Sequence, residues 1–226
     1  MTLTTFDRQA QTSLLEAVRE IQAMAGLAGQ PREAYARQPV ALGITSPGYG
    51  QGKTVLSMAL AGCLSQDLEM DVILVDADFS TRSIELDYGI VRGDGLTEAL
   101  TGSVQIDHIM HRLPETSLSV VTAGMALDES ARVARSEQAA EIVRRMKESA
   151  PCVVFDLPAT LHSTTAAVLA GLCDGVIVVV KAGETTRHEL DMTMRRLKDA
   201  NVLGVVINRW HSDVPRLVEK SLALKM

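Results

Sequence analysis

The sequence has fewer basic than acidic side chains, and this balance limits its partners. Its 226 residues include 22 Lys and Arg against 28 Asp and Glu, which gives a formal net charge of −6 at pH 7. Proteins that bind nucleic acid usually present a basic stripe to the phosphate backbone. We therefore expect no nucleic-acid partner for this chain.

The sequence also lacks paired cysteines. Its three cysteines, Cys63, Cys152 and Cys173, lie apart in apolar runs, with no CxxC spacing. This pattern is typical of reduced thiols in a protein core and not of a disulfide framework or a zinc site. It favours a cytoplasmic location.

Long hydrophobic runs are missing as well. Apolar runs such as GVIVVV from Gly175 are far shorter than the roughly 20 residues of a membrane-spanning helix. The first residues, MTLTTFDRQAQ, do not combine a basic start with an apolar core as an export signal does. We expect no direct membrane insertion, so recruitment to the inner face of the plasma membrane requires a partner.

Apolar residues near the N terminus recur at helical spacing. Leu14, Val18, Ile21 and Ala25 form the stripe, and the breaker cluster GLAGQP follows it. The pattern predicts an amphipathic helix that packs either on its own domain or on another subunit. We predict that residues 1–38 form this helix and a polar connector, and that residues 39–226 form one domain.

Six short runs rich in β-branched residues follow, separated by longer helical patterns. They are VALGITS from Val40, DVILVD from Asp71, SLSVVTAG from Ser117, CVVFDL from Cys152, GVIVVVKAG from Gly175 and LGVVIN from Leu203. Apolar strands that alternate with helices are typical of an α/β fold, with a mainly parallel sheet and helices on both faces. Ligands of such folds bind beyond the carboxyl ends of the strands. The polar residues that end each strand are therefore the candidates for function.

The segment TSPGYGQGKT, which ends at Thr54, joins the first strand to a helical pattern. Its glycines let the backbone curl around phosphate oxygens, and loop amides at a helix N terminus form an anion cradle. By this logic Lys53 binds the β and γ phosphates and the Thr54 hydroxyl binds Mg²⁺. The alternative is a glycine-rich turn with a chance Gly-Lys-Thr. The expected nucleotide contacts in the loop are Gly48, Tyr49, Gly50, Gln51, Gly52, Lys53, Thr54 and Val55.

Acidic residues end two other strands. Asp76 and Asp78 follow one apolar run and Asp156 another. Phosphoryl transfer needs a carboxylate for the Mg²⁺ shell and a group that orients or deprotonates the nucleophile. Asp156 suits the first role, Asp76 the second, and Asp78 either. At the last strand we expect the Asn208 amide to bind an adenine edge and the Arg209 guanidinium to lie over the ring.

With these motifs in this order, the sequence resembles the bacterial tyrosine kinase (BY-kinase) family, the ATPases of capsule and exopolysaccharide production. TSPGYGQGKT is similar to the family's TS-x-x-P-G-E-G-K-S/T loop. Most phosphate-binding loops have a glycine five residues before the glycine of Gly-Lys-Thr; this chain has Pro47 there, and the family's loop lacks that glycine as well. VILVDADFS resembles its Asp-x-Asp motif and CVVFDLPA its V-I-I-D-T-P-P motif. The segments GDGLTEALTG, LSVVTAG and DGVIVVVKAGETTRHEL agree in order and spacing.

The resemblance implies a P-loop NTPase that uses ATP and Mg²⁺. It implies Lys53, Asp76 and Asp78 as catalytic residues, and Thr54, Asp76 and Asp156 on the metal side. It also implies a membrane polysaccharide chain-length (co-polymerase) protein, whose cytoplasmic segment is the partner.

Two departures from the family concern oligomerisation and autophosphorylation. The oligomerisation helix E-x-x-R-x-x-R is matched by Glu16 and Arg19 but then has Gln22, so a homo-oligomer built through that motif is an open prediction. The end, RLVEKSLALKM, carries no tyrosine cluster, so we expect no autophosphorylation on such a tail.

Two alternatives to an ATPase or tyrosine kinase remain. One is a nucleotide-gated adaptor with negligible turnover. The other is a partitioning or division-site ATPase, whose loop K-G-G-x-G-K-T has an early lysine where this chain has Gly48.

Overall fold

The computed structural model describes residues 8–27, 37–67, 70–81, 83–125 and 137–209. Its central feature is one seven-stranded sheet in the order β3-β4-β2-β5-β1-β6-β7. The strands are β1 (Val40–Thr45), β2 (Val72–Asp76), β3 (Met110–Arg112), β4 (Leu118–Val121), β5 (Cys152–Asp156), β6 (Gly175–Lys181) and β7 (Val202–Asn208). All pairings are parallel except that of β3 with β4. The mainly parallel sheet is confirmed, with all six predicted strands in place.

One helix precedes the first strand, and the others lie in the connections between strands. They are α1 (Arg8–Met24), α2 (Lys53–Asp67), α3 (Ser83–Tyr88), α4 (Leu96–Leu100), α5 (Glu137–Ser149), α6 (Thr165–Ala170) and α7 (Arg187–Arg196), with a 3-10 turn at Ile106–His108. Parallel strands need crossover connections of this kind, because the chain must return to the starting edge of the sheet before each new strand.

The inner part of the sheet is buried on both faces, because alternate residues of β1, β2, β5 and β6 enter two separate cores. On β1, Ala41 packs in one core, while Leu42 and Ile44 pack in the other. The first core also holds side chains of α4, α5 and α6, and the second holds those of α1, α2 and α3. Helices on both faces are therefore confirmed, and the two-sided burial explains why the strands are almost continuously apolar.

The predicted N-terminal helix is present as α1. Val18 and Ile21 are buried in the second core, and Leu14 and Ala25 pack at its edge. The stripe thus packs on the chain's own sheet and α2. The boundary predicted at residue 38 stays a prediction, since residues 28–36 of the connector lie outside the described part of the chain.

Sequence reasoning missed strand β3. It has three residues, pairs antiparallel with β4 at the edge of the sheet, and buries none of its side chains fully. Such a strand has no apolar run to mark it.

The helices in the part of the chain that the structure describes include none with both the length and the hydropathy of a membrane span. Cys152 and Cys173 are buried free thiols, and burial raises the pKa of each to about 12. Cys63 is partly buried.

Candidate nucleotide site

The glycine-rich loop leaves the carboxyl end of β1, which lies between β5 and β6 in the sheet, and leads directly into α2. Gly50 and Gly52 have φ values of +70° and +96°, which side chains with a Cβ rarely adopt. Ser46 Oγ donates to the Gly48 carbonyl at 2.7 Å and closes the first turn of the loop. Helix α2 begins at Lys53, so the loop amides and the helix N terminus meet at one point. This is the geometry of an anion cradle.

The register of the sheet brings the acidic strand ends together. Asp76 of β2 is the direct pairing partner of Asp156 of β5, and Asp156 is next to Ile44 of β1. Because parallel strands share one direction, all three positions lie at the same edge as the loop. The side chains of Asp76 and Asp156 are both buried.

Lys53 bridges two of the acidic residues. Its Nζ lies 2.7 Å from Asp78 Oδ2 and 3.6 Å from Asp156 Oδ1. The lysine side chain is 7% exposed and both carboxylates are 0% exposed. Removing one partner from a buried ion pair leaves an uncompensated charge, so the lysine and the carboxylates depend on each other.

The hydroxyl of Thr54 faces the second carboxylate oxygen of Asp156. Thr54 Oγ1 donates to Asp156 Oδ2 at 2.6 Å, while Ser57 Oγ donates to the Lys53 carbonyl at 2.9 Å and lies 3.4 Å from Asp156 Oδ1. The predicted metal-side pair, Thr54 and Asp156, is thus in direct contact. Ser57 was not predicted, although its position one helical turn after Lys53 was a usable signal.

Electrostatics at this edge are unbalanced, because three buried carboxyl groups surround one lysine. Burial and the neighbouring Asp156 carboxylate raise the pKa of Asp76 to about 8. Burial also raises the pKa of Asp156 to about 6, against the lowering effect of Lys53 and Thr54. Burial alone would lower the pKa of Lys53, but the carboxylates of Asp156 and Asp78 raise it.

The residues present fit a divalent cation with its own water shell. Asp76 Oδ2 is buried without a hydrogen-bond partner, while Asp76 Oδ1 accepts from the backbone N–H of Asp78. The excess of buried acidic groups would favour a cation beside them. Among the described residues, however, no three His, Cys, Asp or Glu side chains converge as a metal cage. Mg²⁺ keeps several waters and takes few protein ligands, and Thr54 and Asp156 are the residues that would hold it here.

The loop after β5 runs alongside the root of the phosphate loop. The backbone N–H groups of Leu157, Thr160 and Leu161 donate to the carbonyls of Ile44, Ser46 and Pro47 at 2.9, 2.8 and 3.1 Å. Arg196, at the end of α7, donates from Nη1 to the Thr160 carbonyl at 2.7 Å. The backbone that follows Asp156 is therefore fixed to the phosphate loop.

Two aromatic rings lie at the mouth of the site. Tyr49 stacks on His162 with ring centroids 4.8 Å apart and an interplanar angle of 30°. The Tyr49 residue is 51% exposed. Sequence reasoning assigned His162 no role, because only the fold brings it to the loop.

The predicted adenine residues lie close to the phosphate loop. Asn208 Nδ2 donates to the Gln51 carbonyl at 2.8 Å, and Asn208 Oδ1 accepts from the backbone N–H of Arg209 at 2.8 Å. Arg209 is exposed and has a φ of +55°. Their adenine contacts remain predictions.

Three predicted residues point away from the cluster around Lys53. Val55 is 42% exposed on the first turn of α2. Glu16 and Arg19 are exposed on α1, on the side away from the core. An oligomerisation role for these two remains a prediction.

Comparison with known proteins agrees with this geometry. The family model of the CobQ/CobB/MinD/ParA nucleotide binding domain matches residues 42–225. The chain is similar to a putative tyrosine-protein kinase EpsB of Ralstonia nicotianae, with 28% identity over 167 residues, 73% of this chain and 22% of that protein. It is also similar to the tyrosine-protein kinase CpsD of Streptococcus agalactiae, with 25% identity over 178 residues, 76% of this chain and 75% of that protein. The chain thus spans about a fifth of EpsB.

Solved structures share the fold. The kinase domain of the Escherichia coli tyrosine kinase ETK superposes with a TM-score of 0.74 at 21% identity, covering 89% of this chain and 79% of that one. The septum site-determining protein MinD of Pyrococcus horikoshii, complexed with Mg-ADP, gives a TM-score of 0.65 at 17% identity, covering 82% and 77%. The predicted P-loop NTPase fold is confirmed.

Proposed function

Because the chain belongs to the CobQ/CobB/MinD/ParA family of nucleotide-binding domains, we propose that it binds Mg-ATP and transfers the γ-phosphoryl group, either to water or to a protein tyrosine. We place it in exopolysaccharide or capsule synthesis, at the cytoplasmic side of a membrane chain-length protein. The resemblance of its motifs to BY-kinases and the kinase names of its relatives support this placement.

The observation that carries the proposal is the convergence of Lys53, Thr54 and Asp156 at the end of β1. The lysine lies 3.6 Å and the threonine hydroxyl 2.6 Å from the same carboxylate. A glycine-rich turn with a chance Gly-Lys-Thr gives no reason for a buried carboxylate at that point. A site for a phosphate chain and its cation gives such a reason, because the cation needs a carboxylate beside the phosphates.

Each residue then has a role that its surroundings support. Thr54 and Asp156 would hold Mg²⁺ and its waters, and Lys53 would bind the β and γ phosphates. When bound, the metal neutralises charge that develops on the phosphate oxygens. Asp76 is the proposed base for the acceptor hydroxyl. Its pKa of about 8 makes its ionised form a strong proton acceptor, and a cation bound beside it would favour that ionised form.

Asp78 would hold Lys53 in place while the site is empty of phosphate. The 2.7 Å bond between them keeps the ammonium group buried beside the loop. A lysine already paired with a carboxylate has to exchange that partner for a phosphate, so binding of a phosphate chain would change the Lys53–Asp78 pair even without turnover. This is the specific support for the second candidate, a nucleotide-gated adaptor that binds ATP with negligible turnover.

The test follows released phosphate and protein phosphotyrosine together, with purified protein, Mg²⁺, γ-labelled ATP and a tyrosine-rich acceptor peptide. The variant is Lys53→Met combined with Asp78→Asn, which removes both members of the buried pair. Lys198→Met, on an exposed residue beyond α7, is the control for loss of a lysine.

We expect label on the peptide with the parent and the control, and none with the double variant. Phosphate release without peptide label would make the protein an ATPase. Mg-ATP binding with neither signal would identify the adaptor. Equal ATP binding and hydrolysis by parent and double variant would refute the site.

A further inference from the structure

The side chain of Asn208 is held at both of its polar atoms. It lies at the last position of β7, where its carbonyl accepts from the Ala182 N–H at 2.9 Å. Its Oδ1 accepts from the Arg209 N–H, and its Nδ2 donates to the Gln51 carbonyl, both at 2.8 Å. The sheet therefore fixes the backbone of Asn208, and the two hydrogen bonds fix its amide.

The loop is shaped to receive this amide. A Cβ on Gly52 would lie 2.1 Å from Asn208 Nδ2, far inside contact distance. Gly52 also has a φ of +96°. Only glycine satisfies both conditions, so the close approach of Asn208 is part of the loop's conformation.

The bond has a consequence for the phosphate donors. In a trans peptide the C=O and the following N–H point in opposite directions. When Asn208 holds the Gln51 carbonyl, the N–H of Gly52 must therefore point the other way. That N–H belongs to the Gln51–Gly52 peptide, directly before the N terminus of α2, where phosphate donors converge.

We propose that Asn208 is a positioning residue for the phosphate loop: its amide fixes the Gln51–Gly52 peptide so that the Gly52 N–H faces the phosphate chain. Substituting a residue that contacts only the adenine would leave the affinity for phosphate unchanged, whereas substituting Asn208 should lower it. The ligand part of this inference rests on the proposed function. The loop part concerns the ligand-free chain and does not.

Two variants of Asn208 test the inference. Asn208→Ala removes the amide, and Asn208→Asp keeps its shape but cannot donate to the Gln51 carbonyl. Asn201 supplies the matched control, because its Nδ2 also donates to a backbone carbonyl, that of Asp174 at 2.7 Å, next to the opposite end of β7. Asn201→Ala and Asn201→Asp therefore remove the same kind of bond away from the site.

The first measurement is amide hydrogen exchange of residues 48–54 in the ligand-free protein. We expect faster exchange in both Asn208 variants than in the parent, and no change in this segment in the Asn201 variants. Exchange in Asn208→Asp equal to that in the parent would overturn the inference, whatever the protein binds.

The second measurement compares Mg-ATP with Mg-tripolyphosphate, which has no base. We expect the Asn208 variants to bind both about three- to tenfold more weakly, by the same factor. A loss confined to Mg-ATP would make Asn208 a base reader and overturn the inference. If the parent bound neither ligand, the proposed function would fail, and the exchange experiment would still decide the role of Asn208.

Discussion

Replacing Asp76 by asparagine should change how the stability of the ligand-free protein depends on pH. Burial and the nearby Asp156 carboxylate raise the pKa of Asp76 from its ordinary value of 3.8 to about 8. Between these two pH values the folded chain keeps the proton and the unfolded chain has lost it. Unfolding therefore releases a proton, and the free energy of unfolding falls as pH rises through this window.

The slope from one such group is at most about 1.4 kcal/mol per pH unit. From pH 5.5 to pH 7.5 the parent should thus lose up to about 2.7 kcal/mol of stability through Asp76. The amide that replaces this carboxyl group does not titrate, so the variant's advantage over the parent should grow by this amount. Lys53 does not interfere, because its raised pKa affects stability only above its ordinary value of 10.5.

The assay is urea unfolding of parent and Asp76→Asn at both pH values, with EDTA and without nucleotide. The exposed Asp107→Asn variant is the control for adding an amide, and its stability should change with pH in parallel with that of the parent. If the free energy of unfolding changed with pH by the same amount in Asp76→Asn and in the parent, Asp76 would already be ionised in the folded protein at pH 5.5. The account of the site's electrostatics would then be wrong.

Three further substitutions test other contacts. Gly52→Ala should abolish nucleotide binding, because its Cβ would lie 2.1 Å from the β7 amide, whereas Gly62→Ala, in open space on α2, should stabilise the helix by about 0.5–1 kcal/mol in thermal unfolding. Thr54→Val should destabilise the protein by about 1.5–3 kcal/mol and remove the Mg²⁺ dependence of nucleotide binding. Thr54→Ser retains the hydroxyl, so this variant should keep the parent's stability and its Mg²⁺ dependence. An unchanged Mg²⁺ dependence in Thr54→Val would exclude the metal role of Thr54. Val18 is 1% exposed, so Val18→Asp should lower the free energy of unfolding in urea by more than about 3 kcal/mol. Leu15 is 44% exposed, so Leu15→Asp should lower it little. Similar losses in the two variants would mean that α1 does not pack on the core as described.

The sequence was sufficient to predict the parallel sheet and the residues at its edge. Strands buried on both faces are continuously apolar, so β1, β2 and β5 stand out from the helices between them. In a parallel sheet their carboxyl ends share one edge, which is why Lys53, Asp76 and Asp156 could be grouped before the fold was known. These are local patterns combined with one topological rule.

What the sequence did not reveal depends on contacts between distant residues. His162 lies against Tyr49 only because the loop after β5 follows the phosphate loop. Asn208 is 157 positions from Gln51, and no spacing rule connects them. Likewise, β3 is held by its neighbour β4 and not by a pattern of its own.

The backbone bonds between the two site loops determine which surface can report a bound ligand. The Thr160 N–H is bound to the Ser46 carbonyl, so a shift of the phosphate loop must carry the segment after Asp156 with it. That segment leads into α6 and holds Arg196 of α7. We therefore expect a partner that distinguishes the loaded from the empty protein to contact the face that carries α6 and α7.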